Sequence, residues 1–82
     1  MQLEQYFATT KGTGVFATCD GKGEVNTAIY GRPHVQSRDE VVFIMLDRRS
    51  HANLADNPRA CYLFLEEGKA YQGVRLYLTF LD

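Results

Sequence analysis

The sequence predicts a mostly β domain of antiparallel strands, a barrel or half-barrel carrying two short helices. Three observations lead there. Short apolar or alternating runs are separated by glycine, proline and aspartate turn signals. Only two stretches show helical spacing, and 82 residues leave room for one domain, spanning residues 1–82. A domain of this size buries only about 60% of the surface its unfolded chain exposes, so outside support is expected.

Leu3, Tyr6 and Phe7 stand at i, i+3, i+4, which predicts a short amphipathic helix from Leu3 to Thr9. Lys11-Gly12-Thr13-Gly14 ends it, and Val15 to Cys19 reads as a strand. Asp20-Gly21-Lys22-Gly23 is a hairpin turn, and Glu24 to Tyr30 returns with Val25, Thr27 and Ile29 on one face and Asn26, Ala28 and Tyr30 on the other. Arg32-Pro33-His34 stops or bends that strand, because proline cannot donate to a central ladder. Gln36 to Glu40 reads as a polar link. Val41 to Leu46 is a continuous apolar run, expected to be a strand covered on both faces. Ser50 is expected to cap a second helix, supported by Ala52, Leu54 and Ala55 and ended by Asn57-Pro58. Arg59 to Glu66 is a strand, Glu67-Gly68-Lys69 a turn, and Gly73 to Leu81 the last strand. The expected order is helix, three strands, helix, two strands, with no internal repeat or low-complexity segment.

Composition narrows the function. Hydrophobic residues make up 45% and charged residues 23%, ordinary for a globular chain. A net charge of −1 argues against nucleic-acid binding by phosphate neutralisation and against a polybasic membrane-surface module. Cys19 and Cys61, the only two cysteines, both fall in strand-like runs and read as free thiols of a cytoplasmic protein, a single bridge between them being the lesser alternative. The N-terminus lacks the basic and apolar regions of a signal peptide, and Val41 to Leu46 is far too short to span a bilayer. With disulfides, metals and membrane set aside, pairing into a homodimer is the expected support.

Several motifs reduce to structure. Gly12-Thr13-Gly14-Val15-Phe16-Ala17 matches a dinucleotide fingerprint, yet that fingerprint needs a strand before and a helix after; here the order is reversed, and the glycines read as a flexible lead-in to the first strand. His34, in a loop beside proline, and His51, in the first turn of the second helix, have no partner at zinc spacing, so no metal site is expected. Glu66 and Glu67 are adjacent on a strand, point to opposite faces and form no acid–base dyad. No catalytic side chain is assigned.

Arg48-Arg49-Ser50 is the exception. A helix start carries roughly half a positive charge and unpaired N–H groups, so acidic residues are its usual occupants. Two arginines there, offset in part by Asp47, suit an anion held by helix N–H groups, the Ser50 hydroxyl and a guanidinium. A phosphate fits all three.

Glu24-Val25-Asn26-Thr27-Ala28, the run Val41 to Leu46 and the stretch Arg49-Ser50-His51-Ala52-Asn53-Leu54-Ala55-Asp56-Asn57-Pro58 resemble the FMN-binding split β-barrels, the pyridoxamine 5′-phosphate oxidase-like proteins. The resemblance covers the chain in order, from the leading helix to the Asn-Pro after the second. It implies that Arg49 and Ser50 hold the flavin phosphate with Arg48 assisting, that Asn26, Thr27 and Ala28 contact the flavin, and that Ile44, Met45 and Leu46 line its ring. It also implies a homodimer with the cofactor at the interface and a C-terminal closing strand after Asp82, so the domain is expected to be incomplete at that end. The long C-terminal substrate segment of the true oxidases has no counterpart here.

The function so read is an FMN-dependent oxidoreductase acting on an unidentified small molecule. Two alternatives stand beside it: a barrel that binds haem or another cofactor, with His34 as the residue to watch, and a non-enzymatic dimeric interaction domain that recruits a partner strand.

Overall fold

Alternating burial along β1 (Gly12–Cys19) sets the frame: Gly14, Phe16 and Thr18 are buried, while Val15, Ala17 and Cys19 face the other way. The structure, a computed structural model, describes residues 2–45, 48–68 and 70–81, and at residue 48 the backbone only. β2 (Val25–Tyr30), β1, β5 (Arg59–Glu66) and β6 (Gly73–Thr79) form one antiparallel sheet in the order β2-β1-β5-β6. β3 (His34–Ser37) and β4 (Glu40–Val42) form a separate two-stranded ribbon with an irregularity between Val35 and Ser37. The two sheets do not close on one another, as in a split barrel. The fold is mostly antiparallel β with two short helices, α1 (Leu3–Thr9) and α2 (Arg48–Asp56).

Register fixes which side chains share a face. Phe16 lies opposite Ala28 on β2 and Tyr62 on β5, and Tyr62 lies opposite Leu76 on β6. This inner face meets Tyr6 and Phe7 of α1 and Leu54 of α2, and these side chains with Phe16, Tyr30, Tyr62 and Phe64 form the core. Its rings pack closely: Phe43 lies 4.9 Å from Phe16 and Phe7 5.3 Å from Phe64, both edge to face, and Phe43 lies tilted 4.8 Å from Tyr62. Buried Tyr62 satisfies its hydroxyl by donating to the Gly31 carbonyl at 2.9 Å. Arg32 donates to the carbonyls of Phe7 and Thr10, both at 2.9 Å, which answers the open C-terminal end of α1.

Five departures from the sequence reading have physical causes. β1 begins at Gly12 rather than Val15: the glycines are part of the strand, and a Cβ on Gly14 would collide with the Tyr62 ring. The polar link contains a strand, because Gln36 and Ser37 belong to β3, and the loop residue His34 is its first position. Only Val41 and Val42 of the apolar run are in a strand, and the chain leaves β4 at Phe43. Nor is the run covered on both faces: Phe43 points to the core, while Ile44 is 71% exposed. Leu46 lies outside the described residues. Finally, the described residues hold six strands instead of five.

Candidate cofactor site

α2 presents Ser50, Asn53 and Leu54 inward at i, i+3, i+4, and all three are buried. Arg49, His51 and Ala52 face outward. The helix begins at Arg48, so Ser50 is its third residue and not its cap. The reason is across the gap: Ser50 is fully buried, and its hydroxyl accepts from the side-chain amide of Asn26 on β2 at 3.3 Å. Asp47 lies outside the described residues.

Two further bonds fasten α2 to the β1–β2 hairpin. Asn53 donates to the Thr18 hydroxyl at 3.0 Å with both residues buried, and Asp56 accepts from the Gly21 backbone N–H at 2.8 Å. At the same turn Asp20 accepts from the backbone N–H groups of Glu24 and Lys22 at 2.9 and 2.8 Å. These bonds hold its carboxyl below the usual range, with the Arg49 guanidinium adding to the effect. Asp20 therefore supplies negative charge within reach of Arg49. Sequence reading missed it, because the fold alone brings Asp20 under the influence of Arg49.

The structure brings some predicted site residues together and separates others. Asn26 and Ser50 meet directly. Ala28 shares the inner face with Asn26, while Thr27 points to the outer face opposite Ala17. Ile44 and Met45 lie on the segment between β4 and α2, the first exposed and the second half-buried. Leu46 and the Arg48 side chain lie outside the description. Met45 also lines an open cleft of about 730 Å³ between the inner sheet face, β4 and α2, together with Phe16, Phe43, Leu54 and Leu78. Its wall is mainly apolar, with Gln36, Asp39 and Glu40 adding polar groups, and of the residues predicted to contact the flavin Met45 is the one described residue on it. Phe16, Leu54 and Leu78 were legible only as members of two strands and a helix, because a gap between elements leaves no mark in spacing.

Chemically, the first turn of α2 contains no acidic residue and offers donors: its backbone N–H groups and the exposed Arg49. Among the described residues no group of three or more His, Cys, Asp or Glu side chains could hold a metal, and no helix is long and apolar enough to cross a membrane.

Neither the comparison with protein families nor that with curated proteins gives a match. Among solved structures, an FMN-binding protein from Syntrophomonas wolfei subsp. wolfei superposes with a TM-score of 0.76 at 18% identity, covering 93% of this chain and 54% of that one. The chain thus spans about half the length of the neighbour and shares the fold of an FMN-binding protein.

Proposed function

We propose that the chain binds FMN and serves as an oxidoreductase of the pyridoxamine 5′-phosphate oxidase-like kind, a cytoplasmic homodimer with the cofactor at its interface and a small molecule as substrate. The observation that carries this reading is an α2 start with no acidic residue in its first turn, on a fold shared with an FMN-binding protein. Bound flavin supplies the electron-transfer chemistry. The chain's residues supply the hold. In this reading Arg49 and the α2 N–H groups donate to the phosphate, with Arg48 assisting. Ser50 has no accessible surface and contributes by fixing the Asn26 amide beside that turn. Ala28, Thr27, Ile44, Met45 and Leu46 provide the remaining flavin contacts in this reading.

Titrating the purified chain with FMN and following flavin fluorescence tests the reading. Saturable binding at micromolar FMN is expected, and Arg49→Ala should weaken it by about 10-fold or more, the worth of a charge-assisted hydrogen bond. Absence of uptake removes the flavin. Unchanged affinity in Arg49→Ala moves the phosphate elsewhere.

A further inference from the structure

Cys19 and Cys61 enter neither the core nor the flavin reading, yet the fold brings them to one place. On the outer face of the four-stranded sheet, Ala17 of β1 lies opposite Cys61 of β5. Cys19 stands two residues beyond Ala17 on the same face, which makes the two cysteines diagonal neighbours on adjacent strands. Both are free thiols and half-buried, within reach of solvent. The charges around them have one sign. Among the described residues facing outward on the four strands, Arg59 and Arg75 alone are charged. Arg59 follows the last pair of the β1–β5 register, Thr18 with Ala60, on β5 as Cys19 follows it on β1. Arg75 stands two residues before Tyr77, which lies opposite Cys61. A side-chain hydrogen bond to Tyr77 and then the influence of Cys61 hold the Arg75 guanidinium above its ordinary range, so this cation is within electrostatic reach of the Cys61 sulfur.

We infer that Cys19 and Cys61 form a two-coordinate site for a soft monovalent metal ion, Cu(I), held between their sulfurs on the outer sheet face. Geometry separates this site from a disulfide. Diagonal neighbours across an antiparallel pair stand about 7–8 Å apart, at or past the limit of about 7 Å for bridging two cysteines, whose sulfurs must close to about 2.05 Å. A metal bonded to both sulfurs at about 2.3 Å lets them stay up to about 4.6 Å apart, a span that diagonal side chains reach without moving the strands. Ala17, the residue between them on that face, has a side chain too short to fill the gap. Ligand number selects the ion. Among the described residues no group of three or more His, Cys, Asp or Glu forms, so an ion that needs four ligands is not served. Thiolate softness favours Cu(I), which two sulfurs in line satisfy. Zinc spacing in the sequence gives no sign of such a site, because the two thiols are far apart in the chain and meet only in the sheet. On binding, both S–H bonds break, two Cu–S bonds form, two protons leave to solvent and no electron moves. The bound unit, two thiolates and one monovalent cation, keeps a single negative charge, and Arg59 and Arg75 are placed to offset it. The site lies on the opposite face of the sheet from α2, so it does not rest on flavin binding.

Anaerobic titration of the fully reduced chain with Cu(I), in competition with bicinchoninate and without FMN, tests this directly. Uptake of one ion per chain is expected, read as loss of the coloured Cu(I)–bicinchoninate complex. Cys19→Ser and Cys61→Ser should each abolish the competition, and Arg75→Gln should weaken it about 10-fold, the usual cost of losing an outer partner of a metal site. A chain that takes no Cu(I) from bicinchoninate overturns the inference. Uptake that survives either cysteine variant marks adventitious binding elsewhere and overturns it too. Should the serine variants misfold, the wild type still decides through alkylation by N-ethylmaleimide read by mass spectrometry. Both thiols should react in the metal-free chain and neither once one equivalent of Cu(I) is bound. Protection of one thiol alone, or of both at half an equivalent because two chains share an ion, overturns the site.

Discussion

The Asn53 side chain donates to the Thr18 hydroxyl at 3.0 Å inside the protein, joining α2 to the central strand through two buried polar groups. A buried polar group left without its partner costs about 1–3 kcal/mol, more than the bond itself contributes. Thr18→Val or Asn53→Leu alone should each destabilise by about that amount. The double variant should cost clearly less than the sum, because it strands neither group. Urea denaturation of the four proteins measures the coupling, and simple additivity would show that the two groups do not depend on each other.

Ser50 gives a second prediction. With no accessible surface and its hydroxyl turned to Asn26, it acts on the site through its neighbour. Ser50→Ala is expected to lower stability by about 1 kcal/mol and to weaken FMN binding less than Arg49→Ala does. Equal losses from the two variants, read by the same fluorescence titration, would mean that Ser50 opens outward to touch the phosphate.

Much of this architecture is legible in the sequence because it depends on local chemistry. The bounds of α1 follow from Leu3, Tyr6 and Phe7, and those of β5 from the apolar run between Pro58 and the Glu67-Gly68 turn. The two faces of β2 follow from period-two alternation. What was not legible depends on residues that meet only in the fold. Ser50 looks like a cap because serine favours that position, but a partner on β2, 24 residues earlier, draws it inside. The pull of Arg49 on Asp20 belongs to the same class. The apolar run Val41 to Leu46 misleads for another reason. Strand and extended coil bury the same side chains, so hydrophobicity gives no sign of where pairing stops.

Gly14 offers a test of packing where the sequence suggested only flexibility. A Cβ there would run into the Tyr62 ring, which is fully buried against Phe7, Phe16 and Phe43. The ring has no free space to move into, so Gly14→Ala is expected to destabilise by about 1–3 kcal/mol, the usual cost of overpacking. Gly31→Ala is the control, because its Cβ would meet nothing within 4 Å. Thermal melts that show equal stability for the two variants would contradict the packing described here.

Two tyrosines make stability sensitive to alkali. Burial, then the hydrogen bond to Glu66, pushes the Tyr6 phenol up to about 12; burial pushes Tyr62 to about 12 as well, against a small opposing pull from Arg32. Both are raised above the ordinary value of 10.0, so folding favours the neutral phenols. Their contribution is complete below pH 10 and is lost as the pH rises from 10 to 12, where the unfolded chain ionises and the folded chain resists. The melting temperature should therefore decline across that window. Tyr62→Phe removes one ionising group together with its bond to the Gly31 carbonyl. This variant is expected to be less stable than the parent at pH 8 and to lose less on going to high pH, so that the two melting curves converge. Parallel pH dependence in parent and variant would show that Tyr62 ionises as freely in the fold as outside it.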